Sequence, residues 1–333
     1  MYPDRIALYR EIEEARGSKI LTYVTGDRPG LETQIHPEVV DYFTDHLDSF
    51  GLPIPKISLL LYSRGGVTLA GWSIVNLIRI FCDEFEVIVP SKAHSTATLI
   101  AIGADHIVMT KQATLGPIDP STNGPYNPPI PGGQPNQTLS VSVEDVAGYF
   151  ELAKGELEGR GLEKAFELLA AKVHPLALGK VYRSRAQIQM LAQKLLKNHM
   201  DEEANIKKVI SFLCSDSGSH DYTINRREAK NDLKLPIENP DDALYDLIKR
   251  IYLDIRDDLE LTNPYNQKTI LGLDDEKDYS FRRTILESIQ GGSHKFVSEG
   301  KLRKKEVPTP AGPMIGIEDE RNFEGWRHEP AII

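Results

Sequence analysis

Residues 56–82 have the sequence KISLLLYSRGGVTLAGWSIVNLIRIFC, which predicts a buried strand, a glycine turn and a helix. The run KISLLLYS (56–63) is almost continuously apolar, as is typical of a strand covered on both faces of a parallel sheet. In residues 68–82 the apolar side chains recur at helical spacing. The stretch is therefore interpreted as a strand–turn–helix unit, the element from which parallel α/β sheets are built.

The same alternation recurs on both sides of this unit. Strands are predicted at residues 19–26, 85–90 and 106–110, and helices at residues 4–16 and 36–51 and in a short segment after Ser95. Short connections between alternating strands and helices favour a parallel sheet with right-handed crossovers. The predicted fold class is α/β.

The chain changes character after residue 116. A Pro/Gly-rich segment, residues 117–135, cannot continue the interior of a sheet or a helix and is predicted to be a long loop. Helices are predicted through residues 143–213 and at 240–260, with a short strand and a capped helix between them in SHDYTINRREAKNDLKLPI (219–237). We expect one domain over residues 1–290, and a C-terminal tail or arm over residues 291–333, where no periodicity is sustained.

Composition and charge narrow the classes of function. The 333 residues carry a formal net charge of −10, which argues against a general binder of nucleic acid or of anionic membranes. No uninterrupted apolar run approaches the ~20 residues of a membrane span, and the N-terminus has no apolar signal core. Cys82 and Cys214 are expected to be buried free thiols, which fits a reducing compartment. We therefore expect a cytoplasmic protein.

Cofactor motifs are not found in the sequence. There is no HExxH, CxxC or carboxylate cluster typical of a metal site, and no GxGxxG or P-loop typical of a nucleotide site. The expectation is a protein that works without a metal or another cofactor.

The segment PSKAHSTATLIAIG (90–103) places Ser95 where a strand passes into a buried helix. Gly65 and Gly66 follow the neighbouring strand, and in a parallel sheet both turns lie at the carboxyl edge, where active sites collect. Glycines there let backbone N–H groups face a ligand, and the N–H of Thr96 opens the next helix. The alternative is that Ser95 only caps a helix and the glycines only form a turn.

Two longer segments carry a resemblance to a known family. LLLYSRGGVTLAGWSIVNLIR (59–79), followed by VIVPSKAHSTATLIAIGADHIVMTKQATLGPIDPS (87–121), looks like the core of the Clp protease/crotonase superfold, in its signal-peptide-peptidase-like branch. The later HPLALGKVYRSR (174–185) and residues 219–237 narrow the resemblance to the serine dehydrogenase proteinase family. It extends over roughly residues 20–290, with the motifs in the family's order.

The resemblance implies a serine peptidase on a Clp/crotonase-like ββα spiral core with a helical insertion and a C-terminal extension. Ser95 would be the nucleophile, and the N–H groups of Gly66 and Thr96 would form the oxyanion hole, with Gly65 setting the turn. Peptides or proteins would be the substrate, hydrolysed through an acyl-enzyme. Folds of this kind also imply a homo-oligomer.

Two residues depart from the family pattern. Arg64 replaces the proline of the usual S-P-G-G, and Ala97 stands where the family typically has glycine two residues after the serine. These departures leave two alternatives open. One is a catalytically weak or inactive scaffold or regulatory protein, and the other is a crotonase-like acyl-CoA enzyme, in which Ser95 would have no role.

The general base does not stand where the related branches carry it. The segment GPIDP (116–120) lacks the histidine of the Clp proteolytic subunit, and the lysine of the signal peptide peptidases is also missing at its expected place. By resemblance, Asp221 falls at the position of the triad aspartate, and we take His220 beside it as the best candidate base. Other candidates are His174, Lys172, Lys154 and Asp119; His94 is expected to point away from Ser95.

Overall fold

The computed structural model describes residues 1–119, 121–122, 124–132, 137–156, 161–216, 219, 221–309 and 312–331. The chain divides into two compact units, one made of residues 1–114 with 236–333 and the other of residues 115–235. The expected assignment of residues 1–290 to one domain remains a prediction.

The first unit contains a mixed eight-stranded sheet. Its strands are β1 (Lys19–Thr25), β2 (Ile54–Tyr62), β3 (Cys82–Val89), β5 (His106–Met109), β10 (Ile237–Glu238), β11 (Glu276–Ser288), β12 (Gly292–Thr309) and β13 (Gly312–Glu329). The two short strands β4 (Lys92–Ala93) and β6 (Thr114–Leu115) lie outside this sheet. The order in the sheet is β10-β5-β3-β2-β1-β11-β12-β13.

The sheet is parallel in one half and antiparallel in the other. Strands β1, β2, β3, β5 and β10 pair in parallel, as the alternation of strands and helices predicted. Strands β11, β12 and β13 add to the free side of β1 and pair antiparallel. Residues 291–333, which were expected to form a tail or arm, thus contain two long strands of the central sheet.

Helices cover both faces of the sheet. In the first unit they are α1 (Tyr2–Arg16), α2 (Val39–Ser49), α3 (Thr68–Phe81), α4 (Thr96–Ala101), α10 (Asp242–Asp258) and α11 (Gln267–Leu271). Apolar side chains of α1 and α10 pack on one face of the sheet in a single buried cluster with side chains of β1 and β2. On the other face, Phe43 of α2 lies edge-on against Tyr23 of β1, with ring centroids 5.3 Å apart.

The second unit is mainly helical, as predicted for residues 143–213. It contains β7 (Ser121–Thr122), β8 (Val141–Ser142), β9 (Ile224–Asn225), α5 (Val143–Glu156), α6 (Gly161–Ala170), α7 (Pro175–Leu196), α8 (Glu203–Ser211) and α9 (Arg226–Asn231). The short strand and capped helix predicted in residues 219–237 are β9 and α9, and the Asn225 side chain accepts from the N–H groups of Arg227 and Glu228. In the Pro/Gly-rich segment, β7 pairs antiparallel with β8.

Candidate active site

Ser95 lies between β4 and α4 in a backbone conformation that L-residues rarely adopt, with φ 52° and ψ −119°. It occupies the N-cap position of α4, but its side chain makes no capping hydrogen bond. The structure therefore does not support the alternative that this serine serves as a helix cap. Within the described residues the Ser95 hydroxyl has no hydrogen-bond partner. Residues with a strained backbone conformation of this kind cluster at functional sites.

Gly65 faces the Ser95 side chain directly. A Cβ built on Gly65 would lie 2.7 Å from the Ser95 Cβ and 3.1 Å from its Oγ. A Cβ on Gly66 would lie 2.2 Å from the carbonyl oxygen of Ile35. With φ of 114° at Gly65 and 153° at Gly66, only glycine fits this turn without strain or collision. The serine hydroxyl and the glycine turn thus share one space, as the sequence predicted.

Backbone hydrogen bonds hold the glycine turn and the serine turn side by side. The Ser63 N–H donates to the Lys92 carbonyl over 3.1 Å, and the His94 N–H donates to the Ser63 carbonyl over 3.0 Å. The Gly65 N–H donates to the Ser63 Oγ over 3.0 Å. Because these bonds bridge the ends of neighbouring strands, they fix Ser95 relative to Gly65.

Two backbone N–H groups beside Ser95 lack an acceptor in the described part of the chain: those of Gly66 and Thr96. The Thr96 Oγ1 donates to the Gly66 carbonyl over 2.7 Å, which joins the start of α4 to the glycine turn. On its far side the turn is held by Ile35, whose N–H donates to the Gly65 carbonyl over 2.8 Å. Ile35 also accepts from the Val67 N–H over 2.8 Å.

The candidate base His220 lies outside the described residues. Asp221 is exposed and belongs to the second unit, where its N–H donates to the Ser219 Oγ over 3.2 Å. His94 has its Nε2 2.9 Å from the Thr114 Oγ1. The role of His220 and Asp221 therefore stays a prediction.

The other base candidates belong to the second unit. His174 caps α7, because its Nδ1 accepts from the Leu176 N–H over 3.2 Å. Lys154 is exposed and forms an ion pair with Glu151 at 2.6 Å. Lys172 is exposed, and Asp119 is buried.

One cluster at the carboxyl edge of the sheet was missed in the sequence. The Lys92 Nζ lies 2.8 Å from one oxygen of Asp27, and the Tyr62 hydroxyl donates to the other oxygen over 2.7 Å. Burial, followed by the charge of Asp27, raises the pKa of Tyr62 well above its usual range. Asp27 and Lys92 follow different strands and are far apart in the sequence, so no local motif indicates that they form an ion pair.

The two residues that depart from the family pattern have different environments. Arg64 is exposed, so its guanidinium extends into solvent from the glycine turn. Ala97 is fully buried, and its N–H donates to the His94 carbonyl over 3.0 Å. The methyl group of Ala97 therefore packs in the interior and is not exposed beside the Ser95 hydroxyl.

The family model of the ClpP-like SDH-type serine proteinases matches residues 53–130, which include the glycine turn and Ser95. Over these residues the chain is similar to this proteinase family. The predicted resemblance to the serine dehydrogenase proteinases and the predicted Clp protease-like α/β fold are thereby confirmed.

Curated proteins and solved structures are also similar to this chain. An uncharacterized protein of Methanocaldococcus jannaschii is 26% identical over 270 residues, covering 74% of this chain and 77% of the relative. A membrane-bound stomatin-specific protease is 14% identical, with a TM-score of 0.39 over 68% of this chain and 83% of that chain. ClpP1 from Listeria monocytogenes is 15% identical, with a TM-score of 0.36 over 71% and 99% of the two chains.

Two further properties concern the part of the chain that the structure describes. None of the helices there is long and apolar enough to cross a membrane. The same residues contain no group of three or more His, Cys, Asp or Glu side chains arranged to hold a metal ion. Cys82 and Cys214 are not joined in a disulfide; Cys214 is buried, whereas Cys82 is partly exposed.

Proposed function

We propose that this protein is a serine peptidase that hydrolyses peptide bonds through an acyl-enzyme on Ser95. The observation that carries the proposal is the Ser95 hydroxyl, which makes no hydrogen bond to another described residue. It faces Gly65 in a segment that matches a serine proteinase family. A serine whose hydroxyl is not tied to a helix cap is available as a nucleophile.

In the proposed reaction, the Ser95 Oγ attacks the carbonyl carbon of the scissile bond and gives its proton to a general base. The oxyanion of the tetrahedral intermediate accepts hydrogen bonds from the N–H groups of Gly66 and Thr96. The C–N bond then breaks, the amine leaves with the proton from the base, and an ester on Ser95 remains. Water then attacks the ester carbonyl and gives one proton to the base. The C–O bond to Ser95 breaks, the carboxylic acid leaves, and the base passes that proton to the Ser95 Oγ.

For the base we propose His220, with Asp221 as the residue that orients it. An imidazole with an ordinary pKa near ~6.5 accepts a serine proton close to neutral pH. This assignment rests on the family resemblance of residues 219–237. The cytoplasmic location, the endopeptidase activity and the homo-oligomer belong to the same proposal.

A fluorophosphonate probe tests the nucleophile. We expect the wild-type protein to be labelled at about pH 7–8 and Ser95→Ala to remain unlabelled. Ser91→Ala is the matched control, because Ser91 precedes β4, four residues before Ser95, and its side chain makes no hydrogen bond in the described part of the chain. Folded wild-type protein that takes up no label would instead favour a non-catalytic scaffold.

The base is tested by His220→Ala, which we expect to slow labelling at least about tenfold. His106→Ala is the control, because His106 begins β5 at the opposite edge of the sheet and its side chain is exposed. A wild-type labelling rate in His220→Ala would remove this histidine from the mechanism. Stabilisation by acyl-CoA that does not depend on Ser95 would point to a crotonase-like enzyme.

A further inference from the structure

Strand β13 forms one outer edge of the eight-stranded sheet. It runs for 18 residues, from Gly312 to Glu329, and among the described strands only β12 pairs with it. A long unpaired edge offers a row of backbone N–H and C=O groups to another strand. What limits such pairing is the arrangement of side chains along the edge.

The side chains of β13 alternate between two faces of the sheet, and this alternation is interrupted at Asn322, where the pairing with β12 shifts by one residue. Odd-numbered residues before Asn322 therefore share a face with even-numbered residues after it. Before the shift, the side chains of Ile317 and Asp319 lie on the face that carries α11 and the Tyr279 ring. After it, Glu324, Trp326 and His328 lie on that same face, with contacts to Ser298, Glu38 and His294. We call it the inner face.

Directly opposite residues of paired strands share one face of the sheet. When β13 pairs antiparallel with a second β13, the shift at Asn322 restricts the register. Inner-face residues that precede Asn322 in one copy must lie opposite inner-face residues that follow Asn322 in the other copy. The permitted registers therefore differ from one another by two residues.

One of these registers is complementary in charge. It sets Glu318 opposite Arg327 and Arg321 opposite Glu324, and the two-fold axis repeats each pair. The register two residues to one side sets Asp319 opposite Glu324. The register two residues to the other side sets Glu320 opposite Arg327, but it also sets Glu318 opposite Glu329. Both place like charges directly opposite, which is destabilising.

The ends of the strand agree with the same register. Met314 and Ile315 are large apolar side chains that are 63% and 72% exposed. In the complementary register they lie opposite Ala331 and Pro330 of the second copy. Exposed apolar side chains at one end of β13 would thus be covered by small apolar residues that follow its other end.

We propose that two copies of this chain associate through their β13 strands, which pair antiparallel around a two-fold axis with Glu318 opposite Arg327. The charges along this edge would protect it against pairing with an arbitrary strand. They permit pairing with a second β13, because there Glu318 meets Arg327 and Arg321 meets Glu324.

Sedimentation velocity of the full chain tests the proposal by charge exchange. We expect a dimer for the wild type, and dissociation constants raised by about tenfold or more for Glu318→Arg and for Arg327→Glu, because each places like charges opposite at two sites. The double variant Glu318→Arg/Arg327→Glu restores opposite charges and is expected to recover the dimer. Glu306→Arg is the control, because Glu306 is exposed on β12, which already has a partner strand on each side.

Three results would overturn the proposal: a wild-type protein that stays monomeric, an oligomer that both single variants leave intact, and a double variant that dissociates like the single ones. Circular dichroism shows that each variant is folded. Because Arg327 and Glu318 also contact Glu299 and Lys305 within the hairpin, the two single variants disturb different local contacts and are compared with each other.

Discussion

The Oγ1 of Thr96 donates to the carbonyl of Gly66 over 2.7 Å, so the two residues that supply the proposed oxyanion donors are joined to each other. Thr96→Val keeps the shape of the side chain but removes this bond. We expect the rate of probe labelling to fall by about tenfold, because misplaced donors stabilise the oxyanion less well. The free energy of unfolding should fall by only about 1 kcal/mol, the usual contribution of one hydrogen bond.

Thr98→Val is the matched control, because its Oγ1 donates to the Ala93 carbonyl over the same distance of 2.7 Å, from the same helix. We expect a similar loss of stability with little change in labelling. Equal labelling rates in the two variants would contradict a special role of the Thr96 bond.

Gly65→Ala tests the close approach of the glycine turn to Ser95. The new Cβ would lie 2.7 Å from the Ser95 Cβ, and the φ of 114° is unfavourable for alanine. We expect the free energy of unfolding to fall by about 3 kcal/mol or more, because strain and collision add. Probe labelling of the remaining folded protein should be nearly abolished. Urea unfolding and labelling kinetics measure the two effects.

Gly51→Ala separates strain from collision. Gly51 also has a positive φ of 71°, but a Cβ there would meet nothing within 4 Å. We expect this variant to lose about 1 kcal/mol and to label normally. A Gly65→Ala protein that matched it in both measurements would show that Ser95 does not lie against Gly65.

The parallel half of the sheet could be predicted because its signals are local. The strand KISLLLYS was predicted at 56–63 and found at Ile54–Tyr62, and the following helix was predicted at 68–82 and found at Thr68–Phe81. A strand that is buried on both faces needs an apolar residue at nearly every position, and a helix that is buried on one face needs apolar residues at helical spacing. Both patterns are therefore visible in these segments of the sequence.

The antiparallel half was missed because its alternation is interrupted. The pairing shifts by one residue between Arg282 and Thr284 on β11, and again between Glu299 and Gly300 where β12 meets β13. Each shift exchanges the two faces of the strand, so the period of two breaks in mid-strand. The stretch HKFVSEGKLRKKEV (294–307) lies in β12, which contains neither extra residue. Its alternation is lost because residues 303–306 are four consecutive charged side chains that are all exposed.

The candidate site was predictable only in part for a related reason. Ser95 and the glycine pair stand out because small residues follow buried strands. Ile35, which is hydrogen-bonded to the glycine turn, lies in a loop whose sequence shows no apolar periodicity. The bond from its N–H to the Gly65 carbonyl joins positions 30 residues apart. Such partners are set by the tertiary fold and leave no trace in local sequence.

Arg5 provides a prediction on stability. Its side chain is fully buried and donates to Glu287, which is also fully buried, over 2.6 and 2.9 Å. The charge of this carboxylate holds the pKa of Arg5 above its usual range despite burial. Arg5→Met leaves the Glu287 charge without its counterion, and we expect a loss of about 3–5 kcal/mol in urea unfolding at neutral pH.

The double variant Arg5→Met/Glu287→Gln removes the charges of both fully buried partners and should recover part of that loss. The rest remains because Arg5 also forms ion pairs with Asp254 and Asp258. Arg250→Met is the surface control, because its ion pairs with Glu11 and Asp246 are exposed and contribute little. An Arg5→Met protein as stable as the surface variant would contradict the importance of the buried pair.

A chain of histidines predicts how stability depends on pH. The Nε2 of His46 lies 3.0 Å from the Nδ1 of His294, and the His294 ring stacks on His328 with centroids 4.2 Å apart. Burial, followed by the neighbouring imidazoles, lowers the pKa of His46 to about 3. Burial and His328 lower the pKa of His294 to about 4, although the charge of Asp45 acts in the opposite direction.

Both histidines therefore stay neutral in the folded protein at a pH where they are protonated in the unfolded chain. As the pH falls below ~6.5, the unfolded state binds protons that the folded state does not. We expect the free energy of unfolding to fall by about 1.4 kcal/mol per pH unit for each histidine, down to about pH 4, where His294 begins to protonate in the folded state. Urea unfolding at a series of pH values measures this slope.

His46→Gln and His294→Gln isolate the contribution of the pair. Each variant removes one titrating imidazole, so the stability difference between wild type and variant should shrink by about 1.4 kcal/mol for each unit that the pH falls between 6 and 4. Titratable groups that do not interact with these rings cancel in that difference. A difference that stays constant over this range would mean that the two rings titrate alike in the folded and unfolded chains, contrary to their burial between α2, β12 and β13.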